Sequence, residues 1–454
     1  MDASYRARVA AACAFALGWS SCARAPCERP RAEEREQEDR EQGAHEDAVR
    51  VREGGEPPTL PSGLLIAASV AGEGDRPSGG RLELVAREGG AWRRRELEDP
   101  DSEVLHHARC WDPEGPLQPG IVTLGGGAAL AKHWSREGDT WRGHVLWRSP
   151  DETRWARLRD GEVGRVLGGA PTAGGLVGDV LVVGTHDQGV VALLAPDAEG
   201  GVVVTELDRR PATLVHEVEL GDLDGDGALE VYASLSPPNA LTRGVAQPGS
   251  VVRYEPSTGM GATVIADLAP RHAKEILVDD VDGDGRDELY VVVEGQTEGE
   301  PPRVVTPVEI LRFDAGRESV VIARIEDRAT RFLTAGDLDG DGRRELVAAA
   351  FSTGLWWLVP GRDPRSEWGI ERLAADEGGF EHAALLADLD EDGRDELYSA
   401  DDASGELRRH VWNGRGVTRT VLRRVAPRSR ITWSLASCPR AWLTDETSRP
   451  WSDS

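Results

Sequence analysis

Four short segments of this chain concentrate residues that could do chemistry. GDLDGDGALEVYASL (221–235), DDVDGDGRDELYVVV (279–293), GDLDGDGRRELVAAA (336–350) and ADLDEDGRDELYSAD (387–401) align without gaps. Each sets carboxylates at positions 1, 3, 5 and 9 of a tight loop. These are Asp222, Asp224, Asp226 and Glu230; Asp280, Asp282, Asp284 and Glu288; Asp337, Asp339, Asp341 and Glu345; and Asp388, Asp390, Asp392 and Glu396. Carboxylates at that spacing can converge on one point. The backbone carbonyl at position 7 (Ala228, Arg286, Arg343, Arg394) adds a ligand, and glycine at position 6 permits the turn. Hard oxygen ligands in that number suit Ca²⁺, about four ions in all. They do not suit Zn²⁺ or Cu²⁺, and Mg²⁺ would keep more of its water. An EF-hand is excluded twice. Position 12 is Ala233, Val291, Ala348 or Ser399 where that motif needs Glu, and the flanks read as strands where it needs helices.

The loops recur at pitches of 58, 57 and 51 residues. Each follows a short apolar run and precedes an alternating or β-branched one. Two further strand-like runs complete each period, for example VEILRFD (308–314) and VVIARIE (320–326). Four short strands per period of that length predict a propeller blade. The same rhythm continues upstream without the acidic loop, in IVTLGGG (121–127), DVLVVGT (179–185) and VVALLA (190–195). Seven blades are predicted, near 60–100, 103–150, 163–208, 212–267, 272–326, 329–374 and 380–424. The first lacks a clear innermost strand, because 52–62 is rich in Gly and Pro. The segment 430–437 is expected to return and supply it. The fold class is therefore all-β: a seven-bladed β-propeller with DxDxDGxxE loops in its last four blades and a C-terminal strand closing the first.

Over 60–437 the chain resembles the FG-GAP/VCBS-repeat, integrin-α-like calcium-binding β-propellers. The resemblance is specific in the last four blades and rests on strand rhythm in the first three, where Asp112-Pro113-Glu114 and Pro171-Thr172-Ala173 replace the acidic triplet. It implies that the innermost strands line a central channel. Counting six residues back from loop position 1 then gives His106, Arg165, His216, Lys274, Arg331 and His382, with Arg430 on the closing segment. Together they would form a basic ring at one channel mouth, opposite the calcium loops, suited to an anionic group. Polar strand ends bonded to backbone and water are the plainer reading. The chain has 14 Trp; Trp134, Trp141, Trp147, Trp155, Trp356 and Trp357 allow a sugar-stacking platform or, more simply, packing between blades.

The N-terminus reads as an export signal over 1–21. Arg6 and Arg8 precede the apolar run Val9–Trp19, and Ser20-Ser21-Cys22 resembles a lipobox that would lipidate Cys22. Residues 22–59 are charged and poor in apolar groups, as expected of a solvated tether. The propeller is expected over 60–437, and 438–454 as a tail. Cys110 and Cys438 are candidates for a disulfide, which export permits, but spacing alone leaves the pairing open.

The chain's 454 residues include 80 acidic and 53 basic ones, for a formal charge of −27. That balance argues against nucleic acid and against electrostatic docking on anionic lipid. No GxSxG, P-loop, HExxH or Rossmann fingerprint occurs. The expectation is an exported monomer, periplasmic or on the outer cell surface and held to the membrane only through its lipid. It would act as a protein- or glycan-binding module more readily than as an enzyme. The alternatives are a lyase-like enzyme on anionic polysaccharide and a structural envelope protein.

Overall fold

The computed structural model describes residues 62–443 apart from 73–76, 89–90, 114–115, 139, 156, 167–178, 187, 238–247 and 374–382. Among the described residues thirty strands make seven four-stranded antiparallel sheets and one small ribbon. Blade 1 holds β1 (Ser62–Ala71), β2 (Pro77–Glu88) and β3 (Ala91–Asp99). Blade 2 holds β4 (Leu105–Trp111), β5 (Gly120–Gly125), β6 (Leu130–Glu137) and β7 (Thr140–Arg148). Blade 3 holds β8 (Leu158–Gly164), β9 (Val180–Thr185), β10 (Val190–Pro196) and β11 (Val202–Arg209). Blade 4 holds β12 (Leu214–Gly221), β13 (Glu230–Ser236), β14 (Ser250–Glu255) and β15 (Met260–Asp267). Blade 5 holds β16 (Ala273–Asp279), β17 (Glu288–Val293), β20 (Val308–Phe313) and β21 (Val320–Ile325), with the ribbon β18 (Gln296–Glu298) and β19 (Arg303–Thr306) inserted between its second and third strands. Blade 6 holds β22 (Thr330–Gly336), β23 (Glu345–Ala350), β24 (Gly354–Val359) and β25 (Gly369–Arg372). Blade 7 holds β26 (Ala383–Ala387), β27 (Glu396–Asp401), β28 (Glu406–Trp412) and β29 (Val417–Arg424).

The last strand, β30 (Arg430–Pro439), pairs antiparallel with β1 from Ser62↔Pro439 to Val70↔Arg430 and completes blade 1. The expected ring closure is therefore present, and a one-turn helix α1 (Arg440–Leu443) follows it. A disulfide joins Cys110 on β4 to Cys438 on β30, with Cα atoms 5.6 Å apart. It settles the pairing that spacing left open and fastens the closing strand to blade 2. Glu83 on β2, fully buried, accepts from Arg94 of β3, Arg423 of β29 and Arg430 of β30. Burial would raise its pKa, but Arg423, Arg94 and Arg430 outweigh that and hold it low.

Sequence pattern explains which strand sits where. The second strand of blades 2 to 7 is buried along its whole length (GIVTLG, VLVVGT, EVYASLS, ELYVVV, ELVAAA, ELYSAD) and reads as a near-continuous apolar run. Outermost strands such as β7 and β29 are half-exposed and mix charge with apolar residues. The core is not central. One apolar cluster fills each of the seven junctions between neighbouring blades, which leaves the middle of the ring to polar side chains.

Candidate metal loops and a polar channel mouth

Each acidic loop lies between the first and second strands of its blade. Residues at positions 4 and 6 adopt positive φ, for example Gly225 (73°) and Gly227 (88°), where a Cβ is disfavoured. The fourth loop carries Glu391 at position 4 with φ 65°. Position 1 braces the turn. In the first loop Asp222 Oδ1 accepts from the Asp226 amide (3.0 Å) and Oδ2 from the Gly227 amide (2.8 Å), and the other three loops repeat the pattern. The amide of position 7 donates to the position 5 carboxylate at 2.8–3.1 Å. The position 9 glutamate is buried, and its Oε2 accepts from the amide of position 2 at 3.0–3.3 Å.

In every loop one oxygen from each of positions 1, 3, 5 and 9 lies within 4.8 Å of the others. That separation is about twice a Ca²⁺–oxygen bond of roughly 2.4 Å, so one ion at the centre would reach all four. Burial pushes Glu230, Glu288 and Glu396 up to about 7 and Glu345 to about 8. A carboxylate set this desolvated needs a cation beside it to stay ionised. All sixteen carboxylates singled out from sequence are thus brought together in fours, and the residues fit a hard divalent ion.

Two features of the loops escaped the sequence reading. Position 8 links neighbouring loops. Asp287 Oδ2 accepts from the Asp222 amide (2.7 Å), Asp395 Oδ2 from the Asp337 amide (2.8 Å), and Arg344 grips Asp279 with two nitrogens (2.5 and 2.6 Å). The third strand also reaches in. Arg253, Arg312 and Arg409 lie opposite Tyr232, Tyr290 and Tyr398 at loop position 11. Arg312 contacts Asp282 (2.6 Å) and Glu288 (3.2 Å), Arg409 contacts Glu396 (2.5 Å) and Asp390, and Arg253 lies 3.5 Å from Asp224. In the third loop the same register holds Val347 and Trp357, so no guanidinium enters from that position.

At the other end of the innermost strands, six of them carry a β-bulge. The extra residue falls at His106 on β4, Arg159 on β8, His216 on β12, Lys274 on β16, Arg331 on β22 and Trp433 on β30. A bulge re-aims one side chain off the sheet. Here all six extra residues, with the residue after each, line one cavity of about 60 Å³. Of the seven residues expected from sequence to ring one mouth, His106, His216, Lys274 and Arg331 meet at this cavity, and two others do not. Arg165 lies past the end of β8, more than half exposed and 3.6 Å from Asp179; Arg159 takes its place. Blade 3 has no acidic loop from which to count, and its connection from β8 to β9 is longer. Arg430 binds Glu83 and Glu96 at the junction of blade 1 with blade 7, and Trp433, three residues on, faces the channel. His382 lies outside the described residues, as do the export signal, Cys22 and the tether.

The residue following each bulge was also missed. Asp160, Glu217 and Glu275 each accept from a backbone amide of the next blade: Val218 (2.8 Å), Ile276 (2.9 Å) and Leu333 (2.9 Å). The signal was a basic–acidic dipeptide (Arg159-Asp160, His216-Glu217, Lys274-Glu275) at the same strand position. Burial and neighbouring carboxylates hold Glu217 well above the usual range, and burial lifts Glu275 to about 8. Asp160 is held low despite its burial by His107, whose Nδ1 is 2.8 Å away. His106 and His216 are pushed well down, mainly by burial. The tryptophans take the packing role: Trp134 and Trp141 sit in the core between blades 1 and 2, Trp155 between 2 and 3, and Trp357 between 6 and 7.

Over most of its length the chain is similar in fold to solved structures that include two candidate 6-phosphogluconolactonases. One is from Bacteroides uniformis (12% identity, TM-score 0.51) and one from Bacteroides fragilis (12% identity, TM-score 0.50); each match covers 84% of this chain and all of the other. At that identity the likeness concerns the fold alone. No protein-family model and no curated protein matches the chain.

Proposed function

We propose that this protein is an exported, calcium-binding β-propeller of the FG-GAP/VCBS kind that presents a protein- or glycan-binding surface at the cell envelope, anchored through a lipid on Cys22. The observation that carries the proposal is the fourfold repetition of one donor set, with all four carboxylates of each loop within 4.8 Å. Bound there, Ca²⁺ would neutralise the cluster and stabilise the folded state by mass action. The chain's own residues do the rest. Position 1 holds the turn, position 9 ties the loop to the strand below, and position 8 passes the constraint to the adjoining blade. The blade faces so held are rigid supports for a ligand. A lyase-like reading finds less support, because burial pushes His106 and His216 well below the usual histidine range.

The test has three arms. Calcium should raise the melting temperature of chelated protein. The chain expressed in a Gram-negative host should fractionate with membranes, and Cys22→Ala should release it. A glycan array and a panel of purified envelope proteins, probed with calcium-loaded and chelated protein, should give ligands that require the metal. An unmoved melting temperature overturns the metal assignment, an unchanged fractionation overturns the anchor, and an empty array and panel overturn the binding role.

A further inference from the structure

The channel mouth is a built site, made from residues at the opposite end of the strands from the acidic loops and independent of them. Three things coincide there. Bulges on separate strands aim His106, Arg159, His216, Lys274, Arg331 and Trp433 at one cavity. Two buried ring nitrogens on its wall, His216 Nδ1 and His107 Nε2, have no hydrogen-bond partner among the described residues; each of these histidines is 8% exposed. Such atoms are costly to leave unpaired. The carboxyl groups on the same wall are tied back, because Asp160, Glu217 and Glu275 each give one oxygen to the amide of the next blade.

We propose that this cavity binds a compact oxyanion — a carboxylate, sulfate or phosphate group — between Arg159, Lys274 and Arg331, with the free nitrogen of His216 completing its shell. Size agrees with that choice. About 60 Å³ has room for such a group, given that an ordered water needs roughly 10–15 Å³ on the same measure. Charge agrees as well. Burial and repulsion from Arg331 and Arg159 depress Lys274 to about 7, and burial and Arg159 depress Arg331 to about 10. Burial meanwhile lifts Glu275 to about 8 and, with neighbouring carboxylates, holds Glu217 well above the usual carboxylate range. The lining thus sets three cationic side chains, Arg159, Lys274 and Arg331, around one space with the ionised Asp160 among them, and an anion there would relieve the repulsion between the cations. A free anion and one borne on a sugar acid share this chemistry. In the second case the ring would remain outside the mouth.

Calorimetry and thermal shift on the full chain test the site, with sulfate, acetate or galacturonate replacing chloride at constant ionic strength. The expected result is saturable binding with a rise in melting temperature, weakened at least about tenfold in Lys274→Gln and in Arg331→Gln and unchanged in Arg165→Gln, which alters an exposed arginine outside the cavity. Galacturonate binding more tightly than acetate would identify a sugar-borne carboxylate, and equal affinities a free anion; both support the site. If either channel variant fails to fold, His216→Gln supplies the comparison and should also weaken binding. No saturable effect from any of the three anions, or the same effect in the channel variants as in the parent, overturns the proposal.

Discussion

Blades 1 to 3 and blades 4 to 7 share one strand plan but balance their charges differently. In the first group acidic side chains meet basic ones inside the protein. Glu83 has three arginines, Lys132 sits between Asp99 (2.6 Å) and Asp101 (2.8 Å), Arg109 meets Glu162 (2.6 Å), and His107 meets Asp160. A disulfide adds a covalent link at the point of closure. In the second group the carboxylates gather in fours, with at most one guanidinium from the third strand against each set. The pairs named in the first group answer each charge from within, while the acidic sets of the second leave carboxylates that an external cation could answer. Sequence similarity between blades therefore does not imply the same source of stability.

The sharpest way to break that comparison is to remove the cation. At 1 mM Ca²⁺ and a dissociation constant of about 10⁻⁴ M, four sites contribute about 6 kcal/mol in total. EDTA should thus lower the melting temperature and speed hydrogen exchange in β13, β17, β23 and β27 before it touches β5 or β9. Uniform loss of protection would show that the two halves are not distinct. Reduction of Cys110–Cys438 is the reciprocal cut, costing up to about 5 kcal/mol with its first effect on β1 and β30; equal protection in reduced and oxidised protein would refute it.

A third comparison pits one buried acid from each half. Asp160 is ionised against His107, so Asp160→Asn should cost about 1–3 kcal/mol, read by chemical denaturation. Next in size is the guanidinium effect. Removing a cation beside a metal should raise affinity by about 1 kcal/mol, so Arg409→Gln should bind Ca²⁺ about fivefold more tightly in the fourth loop. The third loop, which has Trp357 in that register, should fill first. Terbium luminescence excited through Trp357 reports it, and Trp357→Phe should extinguish the earliest phase; an earliest phase that survives would reorder the sites. The smallest effect belongs to Glu217→Gln. Glu217 holds its proton in the folded state to well above the ordinary carboxylate range, so its contribution to stability declines as pH rises. The variant should match the parent at pH 5 and exceed it by a few tenths of a kcal/mol or more by pH 8; a variant less stable at both would mean that Glu217 is ionised.

How much of this was legible in the sequence follows from range. Every carboxylate of a metal loop lies within nine residues of the others, so residue spacing alone located all four sets. The closing strand was readable because Arg430–Ala436 repeats the pattern of an innermost strand, but pattern could not set its register within three residues, and Arg430 was misplaced. The channel ring depends on single-residue bulges, which leave no mark in hydrophobic periodicity; counting back six residues worked from the acidic loops of blades 4, 5 and 6 and from Asp112 in blade 2, and failed in blade 3. The disulfide spans 328 residues, and the position 8 contacts join loops about 65 residues apart in sequence, with each partner on a different blade. Only folding brings such pairs together.

The union of β1 with β30 also has a consequence in time. A ribosome makes Leu64, Leu65 and Ile66, all destined for complete burial, more than 360 residues before it makes the strand that covers their inner edge. Until then that edge has unpaired backbone groups and is a template for wrong partners. A chain interrupted anywhere before Arg430 keeps the edge for life. The molecule thus carries its own mark of completeness: full-length copies hide the edge, and unfinished ones display it to proteases and chaperones.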